Sequence, residues 1–364
     1  MDLTLTEEQE LIRSTAREFL SAAELSGKVW TAEPSGKLWT AEPSGKLWTA
    51  EPSGKLWTRM VELGWAGLPF PEEYGGLGAG FLELCLVLEE IGRARVPSPL
   101  AATVACCGMP VMRYGTAAER AAWLPAITGG RLLTHVEGIA AQAGTLHGTA
   151  MFVSHADIAD TLLVVAHADR PLAVLIDGAT PGISREPLAV VGDESYRVSF
   201  DHVPIPEGAV LAAGSEIAAA TAAYGAAATC AEMVGGAQAV LDMTVDYATQ
   251  REQFGRPIGA FQAVQHHCAD MAVEVLGARL LAYEAIWRLA AGLDASTEVA
   301  LAKSWVSEVY QRVCATAHQV HGAIGFTAEH GLHHYTRHAM ACALAFGDTD
   351  HHIGTIVRHL GMGD

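Results

Sequence analysis

Positive charge is scarce in this chain of 364 residues, where 23 Lys and Arg stand against 41 Asp and Glu for a formal net charge of −18. That balance argues against nucleic-acid backbones and anionic membranes as partners, because both need basic surface to displace counter-ions. It also means that an anionic ligand must be met by a local cluster of cations. Metal-site patterns are missing as well. The seven cysteines (85, 106, 107, 230, 268, 314 and 342) show no zinc-ligand spacing, and no His-Glu-x-x-His occurs. Histidines 330, 333, 334, 338, 351, 352 and 359 crowd the C-terminal part and include i, i+4 pairs, yet with no His-Glu-x-x-His among them no metal is expected. The odd cysteine count and the apolar helical surroundings read as buried, reduced thiols in a cytoplasmic protein. No uninterrupted apolar run approaches a membrane span, and the acidic start Met1-Asp-Leu-Thr-Leu-Thr-Glu-Glu does not read as a signal peptide. Half the residues are apolar, so disorder is excluded and a large core is available.

What is present divides into three stretches. Thr6-Glu-Glu-Gln9 is a capping box that opens a first helix with Leu11, Ile12, Ala16, Phe19 and Leu20 on one face. A nonapeptide, Ser-Gly-Lys-Leu-Trp-Thr-Ala-Glu-Pro with Val29 in place of leucine in its first copy, then repeats from Ser26 and runs out at Thr58. Its prolines prevent one continuous helix, and the unit is too short and polar for a packed solenoid. We read 26–58 as an expanded linker whose Leu56-Trp57 enters the next helix. Helices are expected over Leu56–Leu63, Phe81–Gly92, Pro97–Tyr114 and Ala117–Thr128, with a Gly/Pro-rich turn at 64–78. From Leu132 the pattern changes. Thr161–His167, Leu172–Asp177 and Tyr196–Phe200 are short β-rich runs, and Asp201–Pro206 leaves the sheet. From Ala212 on the chain returns to long helices. The expected fold class is therefore α+β: a helical domain over 1–130, a small β-barrel or sandwich over 131–211, and a four-helix bundle over 212–364.

The stretch Tyr247–Met271 stands out. Gly255, Pro257 and Gly259 break the helical pattern between helices expected over Ala231–Thr249 and Phe261–Leu289, which makes a helix hairpin with a glycine-bearing elbow. Arg251 is expected in the last turns of the first helix, beside Phe254. Chemistry alone leaves two readings open. The guanidinium pairs with a phosphate while the ring packs on a flat heterocycle, or the arginine simply caps a helix C-terminus.

The run Arg251-Glu-Gln-Phe-Gly-Arg-Pro-Ile-Gly-Ala-Phe-Gln-Ala-Val-Gln265, followed by Ala269-Asp-Met271, resembles the signature of the acyl-CoA dehydrogenase family. His318-Gln-Val-His-Gly-Ala-Ile-Gly-Phe326 is similar to that family's Gln-x-x-Gly-Gly-x-Gly turn, and the likeness extends over essentially the whole chain. The resemblance implies FAD bound between subunits, an acyl-CoA thioester as substrate, electron-transfer flavoprotein as electron acceptor, and α,β-dehydrogenation in fatty-acid or steroid side-chain β-oxidation. It implies that Arg251 meets the pyrophosphate, that Gln253, Phe254 and Gln262 line the cofactor, and that Gln319 lies near the adenine. By the same resemblance Gly322, Ala323 and Gly325 allow close backbone approach, with Ala323 where a glycine is usual. Thr349 and His351 stand at C-terminal flavin contacts.

The resemblance fails elsewhere. Where the family carries Tyr-Glu-Gly-Thr with a glutamate base, this chain reads Phe346-Gly-Asp-Thr349, so Gly347 holds the base position and Asp348 is one place late. The alternative base position on the preceding helix falls at Gly225, and Glu232 reads as an ordinary helix carboxylate. The flavin-side β motifs are reduced to Thr134-His-Val-Glu-Gly138 and Met151-Phe-Val-Ser154, leaving Thr134 and Ser154 as donors. This pattern is similar to the smaller, non-catalytic subunits of actinobacterial heteromeric acyl-CoA dehydrogenases. The expectation is a chain that lends the trans half of an FAD site to a homologous subunit, in a heterotetramer. Two alternatives stay open: a self-sufficient enzyme with Asp348 as base, and a flavin-free scaffold.

Overall fold

The computed structural model describes residues 4–21, 50–191, 194–327 and 329–362. The nonapeptide repeats lie outside the described residues except for their last part, which begins a helix. Contact density divides the chain into two units that interleave in sequence.

One unit gathers the first helix, residues 85–97 and the chain from 226 on. Numbered in chain order, the helices begin with α1 (Glu7–Ser21) in this unit, α2 (Ala50–Glu62) in the other and α3 (Phe81–Ala94) divided between them; this unit also holds most of α6 and all of α7 to α10, given below. The expected capping box forms: Thr6 N–H donates to Gln9 Oε1 at 3.0 Å, and Gln9 N–H donates to Thr6 Oγ1 at 3.2 Å. Buried carboxylates pin α1 and α3 to the bundle. Glu90 takes both Arg17 Nε (2.9 Å) and Nη2 (2.6 Å), while Glu89 accepts from Arg279 Nη1 (2.8 Å) and Tyr283 Oη (2.6 Å). Removing one partner of such a pair costs about 3–5 kcal/mol, because the other charge is left buried alone. Gly92 and Gly235 bring α3 and α6 close together. A Cβ at Gly235 would sit against the backbone carbonyl of Glu89, and one at Gly92 against that of Glu232.

The other unit begins with α2 and runs on through 98–225, interrupted by the segment from 85. Trp57 on α2 is buried and donates to Gly130 O at 2.7 Å, so the last repeat copy does enter a helix. The helix expected over Pro97–Tyr114 is realised as a π-helical stretch, Ala101–Gly108, followed by α4 (Met109–Tyr114). Met109 N–H reaches Val104 O, five residues back, and Thr103 Oγ1 bonds both the carbonyl (2.9 Å) and the amide (3.2 Å) of Leu133. Such π turns interrupt α-helices where tertiary contacts outweigh ideal geometry. α5 (Ala117–Thr128) opens on a full capping box, Thr116 with Glu119.

Six strands follow: β1 (Leu133–Gln142), β2 (Thr145–Ser154), β3 (Thr161–His167), β4 (Leu172–Asp177), β5 (Ile183–Pro187) and β6 (Ser195–Pro204). The domain expected as a barrel or sandwich is one mixed sheet in the order β4-β3-β1-β2-β6-β5, with β1 and β3 parallel and every other pair antiparallel. β3 and β4 match the sequence reading residue for residue. β6 runs on through Asp201–Pro204, where an exit was expected, because Leu146 and Thr145 of β2 still pair with Val203 and Pro204. The core includes Val136, Ile139, Leu162, Val164, Val174, Ile176, Val198 and Phe200. β1 and β2 escaped recognition because their exposed stretches mix Gly, His and Thr with the apolar positions.

The C-terminal helices are α6 (Gly214–Gln250), α7 (Gln262–Ala290), α8 (Ser296–His321), α9 (Leu332–Leu344) and α10 (Thr349–His359). α6 is long and apolar enough to cross a membrane by length and composition, contrary to the sequence reading, but 72% of that window is buried inside the protein. It is a core helix, packed through Met233, Val234, Val240 and Leu241 against Met271 and Val275 of α7 and Val306, Tyr310 and Val313 of α8. All seven cysteines are free thiols, six of them buried.

Candidate functional site

The elbow between α6 and α7 is more ordered than a glycine-bearing bend. Two short strands, β7 (Glu252–Gln253) and β8 (Arg256–Pro257), pair across a two-residue turn made by Phe254 and Gly255. Both turn residues have positive φ, 55° and 79°, which is the twist that a two-residue hairpin demands. α6 stops at Gln250, so Arg251 lies just beyond the helix rather than in its last turns. Its backbone closes the hairpin through Ile258 N–H to Arg251 O at 2.7 Å.

The side chains of the hairpin face solvent. Phe254 is 92% exposed. Arg251, Gln253, Arg256 and Gln262 are exposed too, and Arg251 has neither an ion pair nor a side-chain hydrogen bond among the described residues. Gln253 Nε2 bonds its neighbour's carbonyl, Glu252 O, at 2.7 Å. The sequence reading passed over Arg256. Its register partner is Gln253, and its guanidinium stacks over the Phe261 ring at 4.2 Å. A second cation thus stands on the same hairpin, visible in the sequence only once the two-residue turn is assigned.

The second motif forms the end of α8 and a 3₁₀ turn, Gly322–Phe326. Gly322 has φ 65°, and a Cβ there would meet nothing. Gly325 is buried, with His321 Cβ, His318 Nδ1 and Leu332 Cδ2 all within 3.3 Å of where a Cβ would sit. Gln319 and Ala323 are exposed. Histidines 318, 321 and 330 cluster behind this turn. The His321 ring stacks on Tyr247 (4.5 Å) and meets His330 edge-on (4.8 Å), and His318 stacks on Phe326 (4.4 Å). Burial, followed by mutual repulsion, holds all three below the ordinary histidine pKa. Among the described residues no group of three or more His, Cys, Asp or Glu is arranged to hold a metal ion.

The third motif, Phe346-Gly-Asp-Thr349, is spent on architecture. Gly347 has φ 94°, and a Cβ there would lie 2.6 Å from the His351 ring and 3.2 Å from His352 Nε2. A side chain at this position would need the left-handed backbone and a shift of the exposed His351 ring. Asp348 is the N-cap of α10, its Oδ1 accepting His351 N–H at 2.9 Å. Thr349 Oγ1 donates to Glu308 Oε1 at 3.1 Å. Glu232 lies 3.9 Å from the buried His338, and Gly225 offers no side chain. In the other unit, Thr134 is buried on β1 and donates to Ser154 O at 2.8 Å, while the Ser154 side chain on β2 is exposed. Phe152, two residues earlier, is 65% exposed at positive φ.

An unpaired arginine, a second exposed cation and exposed amides at Gln262 and Gln319 fit a dianionic pyrophosphate with a heteroaromatic end. Residues 212–361 match the acyl-CoA dehydrogenase C-terminal domain, and 40–131 match the N-terminal domain of the same family. The chain is 32% identical over 327 residues to acyl-CoA dehydrogenase FadE27 of Mycobacterium tuberculosis, covering 83% of this chain and 87% of that one. Among solved structures it is similar to the ChsE4-ChsE5 complex of the same organism (TM-score 0.87, 27% identity, all of both chains covered). It is similar also to butyryl-CoA dehydrogenase of Megasphaera elsdenii (TM-score 0.86, 25% identity, 99% of this chain and 100% of that one). The chain therefore belongs to the acyl-CoA dehydrogenase family, the FAD-dependent oxidoreductases that act on the CH–CH bond of acyl-CoA thioesters.

Proposed function

We propose that this chain is the non-catalytic subunit of a heteromeric acyl-CoA dehydrogenase and supplies the trans half of an FAD site to a homologous partner. The observation that carries this reading is that Gly347, a residue without a side chain, stands at the base position, while Arg251 of the hairpin has no ion pair or side-chain hydrogen bond among the described residues. A self-sufficient enzyme needs a carboxylate aimed at the substrate, and here Asp348 is engaged as a helix cap. A trans contributor needs donors left over by their own chain, and Arg251, Gln262 and Gln319 are exposed with no side-chain hydrogen bond among the described residues. The ChsE4-ChsE5 neighbour, a complex of two chains, favours the same arrangement.

On this reading Arg251 grips the pyrophosphate, with Arg256 adding charge from the same hairpin. Phe254 and Gln253 pack along the cofactor, Gln262 donates from the first turn of α7, and Gln319 with the Gly322–Gly325 backbone receives the adenine end. Ala323 fits because its position is exposed. Thr349 and His351 reach the flavin from α10. The chemistry that FAD supplies when bound is acceptance of the hydride from the β-carbon. The base that takes the α-proton comes from the partner chain. The exposed apolar stripe Val273, Leu276 and Leu280 on α7, with Leu301 and Trp305 on α8, offers surface for a subunit contact. Electron-transfer flavoprotein is the acceptor this reading takes, and the cytoplasm its compartment.

The test is purification alone and with a co-expressed homologue. The chain alone is expected to be colourless, and the pair yellow and active. Arg251→Ala should lower flavin retention by the pair about tenfold to a hundredfold, from the roughly 1.5–3 kcal/mol of a hydrogen bond to a charged group. A yellow, substrate-reducible chain on its own would overturn the reading in favour of self-sufficiency. An active pair whose flavin content ignores Arg251→Ala would instead point to a scaffold.

A further inference from the structure

Lysine is nearly absent from this chain outside the repeats. Of five lysines, Lys28, Lys37, Lys46 and Lys55 belong to the nonapeptide copies, and the fifth is Lys303 on α8. Elsewhere the chain uses arginine. Lys303 is also completely buried. Its Nζ donates to three uncharged acceptors, each at 3.1 Å: Ser307 Oγ on its own helix, Ala343 O in the last turn of α9, and Gly347 O in the following loop. Ser307 Oγ gives its own hydrogen to Lys303 O at 2.7 Å, so its lone pairs are free to face the ammonium.

The residue type fits the task. An ammonium is a compact charge with three donors that can point to three places, whereas a guanidinium is a planar fork. A cation also suits the C-terminal end of α9, where carbonyls lack intrahelical partners and the helix dipole is negative. The loop it holds is tightly turned, since Phe346 and Gly347 both have positive φ, 56° and 94°. Every residue from there to α10 is tied down. Phe346 O accepts from His352 Nε2 at 2.9 Å, Gly347 O from Lys303, Asp348 caps the helix, and Thr349 donates to Glu308, little more than one helical turn from Lys303.

We infer that Lys303 is the positioning residue for the flavin-facing start of α10, fixing the Gly347 carbonyl and thereby the places of Thr349 and His351. The assignment rests on the reading above of those two residues as flavin contacts. Burial lowers the pKa of the ammonium, and the nearby Cys230, Cys342 and Asp348 oppose that shift. Without Lys303 two carbonyls lose a charged donor, and Gly347 O has no other hydrogen-bond donor among the described residues.

The experiment compares Lys303→Met, which keeps the apolar stem and removes the donors, with Val309→Ala, a buried change on the same helix that removes no hydrogen bond to the loop. Amide exchange over 345–352 in the chain alone is expected to rise at least tenfold in Lys303→Met and to stay unchanged in Val309→Ala. Flavin retention by the assembled pair should fall about tenfold in the first and not in the second. If Lys303→Met does not fold, Lys303→Arg serves, with an expected smaller rise confined to the same amides. Unchanged loop exchange would overturn the proposal, as would equal flavin loss in both variants at equal melting temperature. A wild-type pair that holds no flavin removes the reading beneath it, and the exchange comparison in the chain alone still decides whether Lys303 holds the loop.

Discussion

The hairpin at 251–257 and the loop at 346–349 belong to the same helical unit and carry the two family motifs of greatest interest, yet they are built in opposite ways. In the hairpin the backbone is satisfied and the side chains are left over: Phe254 stands in solvent and Arg251 pairs with nothing among the described residues. In the loop Asp348 caps α10 and the Phe346 and Gly347 carbonyls accept from His352 and Lys303, while a side chain at Gly347 would have to displace the His351 ring. Polar groups that go unspent on a surface mark contact with something outside the chain, whereas groups spent internally are structure. The contrast teaches that the hairpin leaves Arg251 without an ion pair or side-chain hydrogen bond among the described residues, while Asp348 of the loop is engaged as a helix cap, and it is on this difference that the proposed trans role rests.

The largest expected effect breaks that contrast directly. Gly347→Glu restores the family's residue, and it should fail. A non-glycine residue at φ 94° costs roughly 1–2 kcal/mol, and displacing the His351 ring adds about 1–3 kcal/mol. Urea unfolding should show the sum, with no gain of dehydrogenase activity by the chain alone. Wild-type stability together with new activity would mean that the position is vacant rather than closed.

Acid should come next. His318, His321 and His330 behind the glycine turn and His352 behind the loop are all held below the ordinary histidine pKa of 6.5, chiefly by burial. Lowered folded-state values mean that the unfolded chain takes up protons first. The stability these groups contribute is complete above pH 6.5 and is lost as pH falls through their folded values. Urea midpoints should therefore drop between pH 7.5 and 5 in the chain without flavin, and a flat profile would contradict the burial of these rings.

Smaller effects sharpen the comparison from each side. Asp348→Ala should cost about 1 kcal/mol as a lost N-cap while Asp348→Asn costs almost nothing, since asparagine caps equally well. If Asp348 were the base, the asparagine variant would abolish turnover by the pair, which we expect to persist. Phe254→Asn should raise stability by up to about 1 kcal/mol, because asparagine tolerates the left-handed turn position that phenylalanine occupies under strain. The same change should weaken flavin retention by the pair. A residue kept at a cost to its own fold is one kept for a partner.

Much of this was legible in the sequence. Capping residues, period-two and period-3.6 patterns and glycine-proline punctuation are local, so Thr6-Gln9, α5, β3, β4 and the break at 255–259 follow from neighbours a few residues apart. The motif order at 251–271 and 318–326 indicated the family in the same way. Tertiary structure alone decided the rest. The buried state of Lys303 depends on carbonyls some 40 residues further along the chain. The π turn at 101–108 answers to Leu133. Such contacts join residues far apart in sequence, and no local pattern encodes which of them will meet.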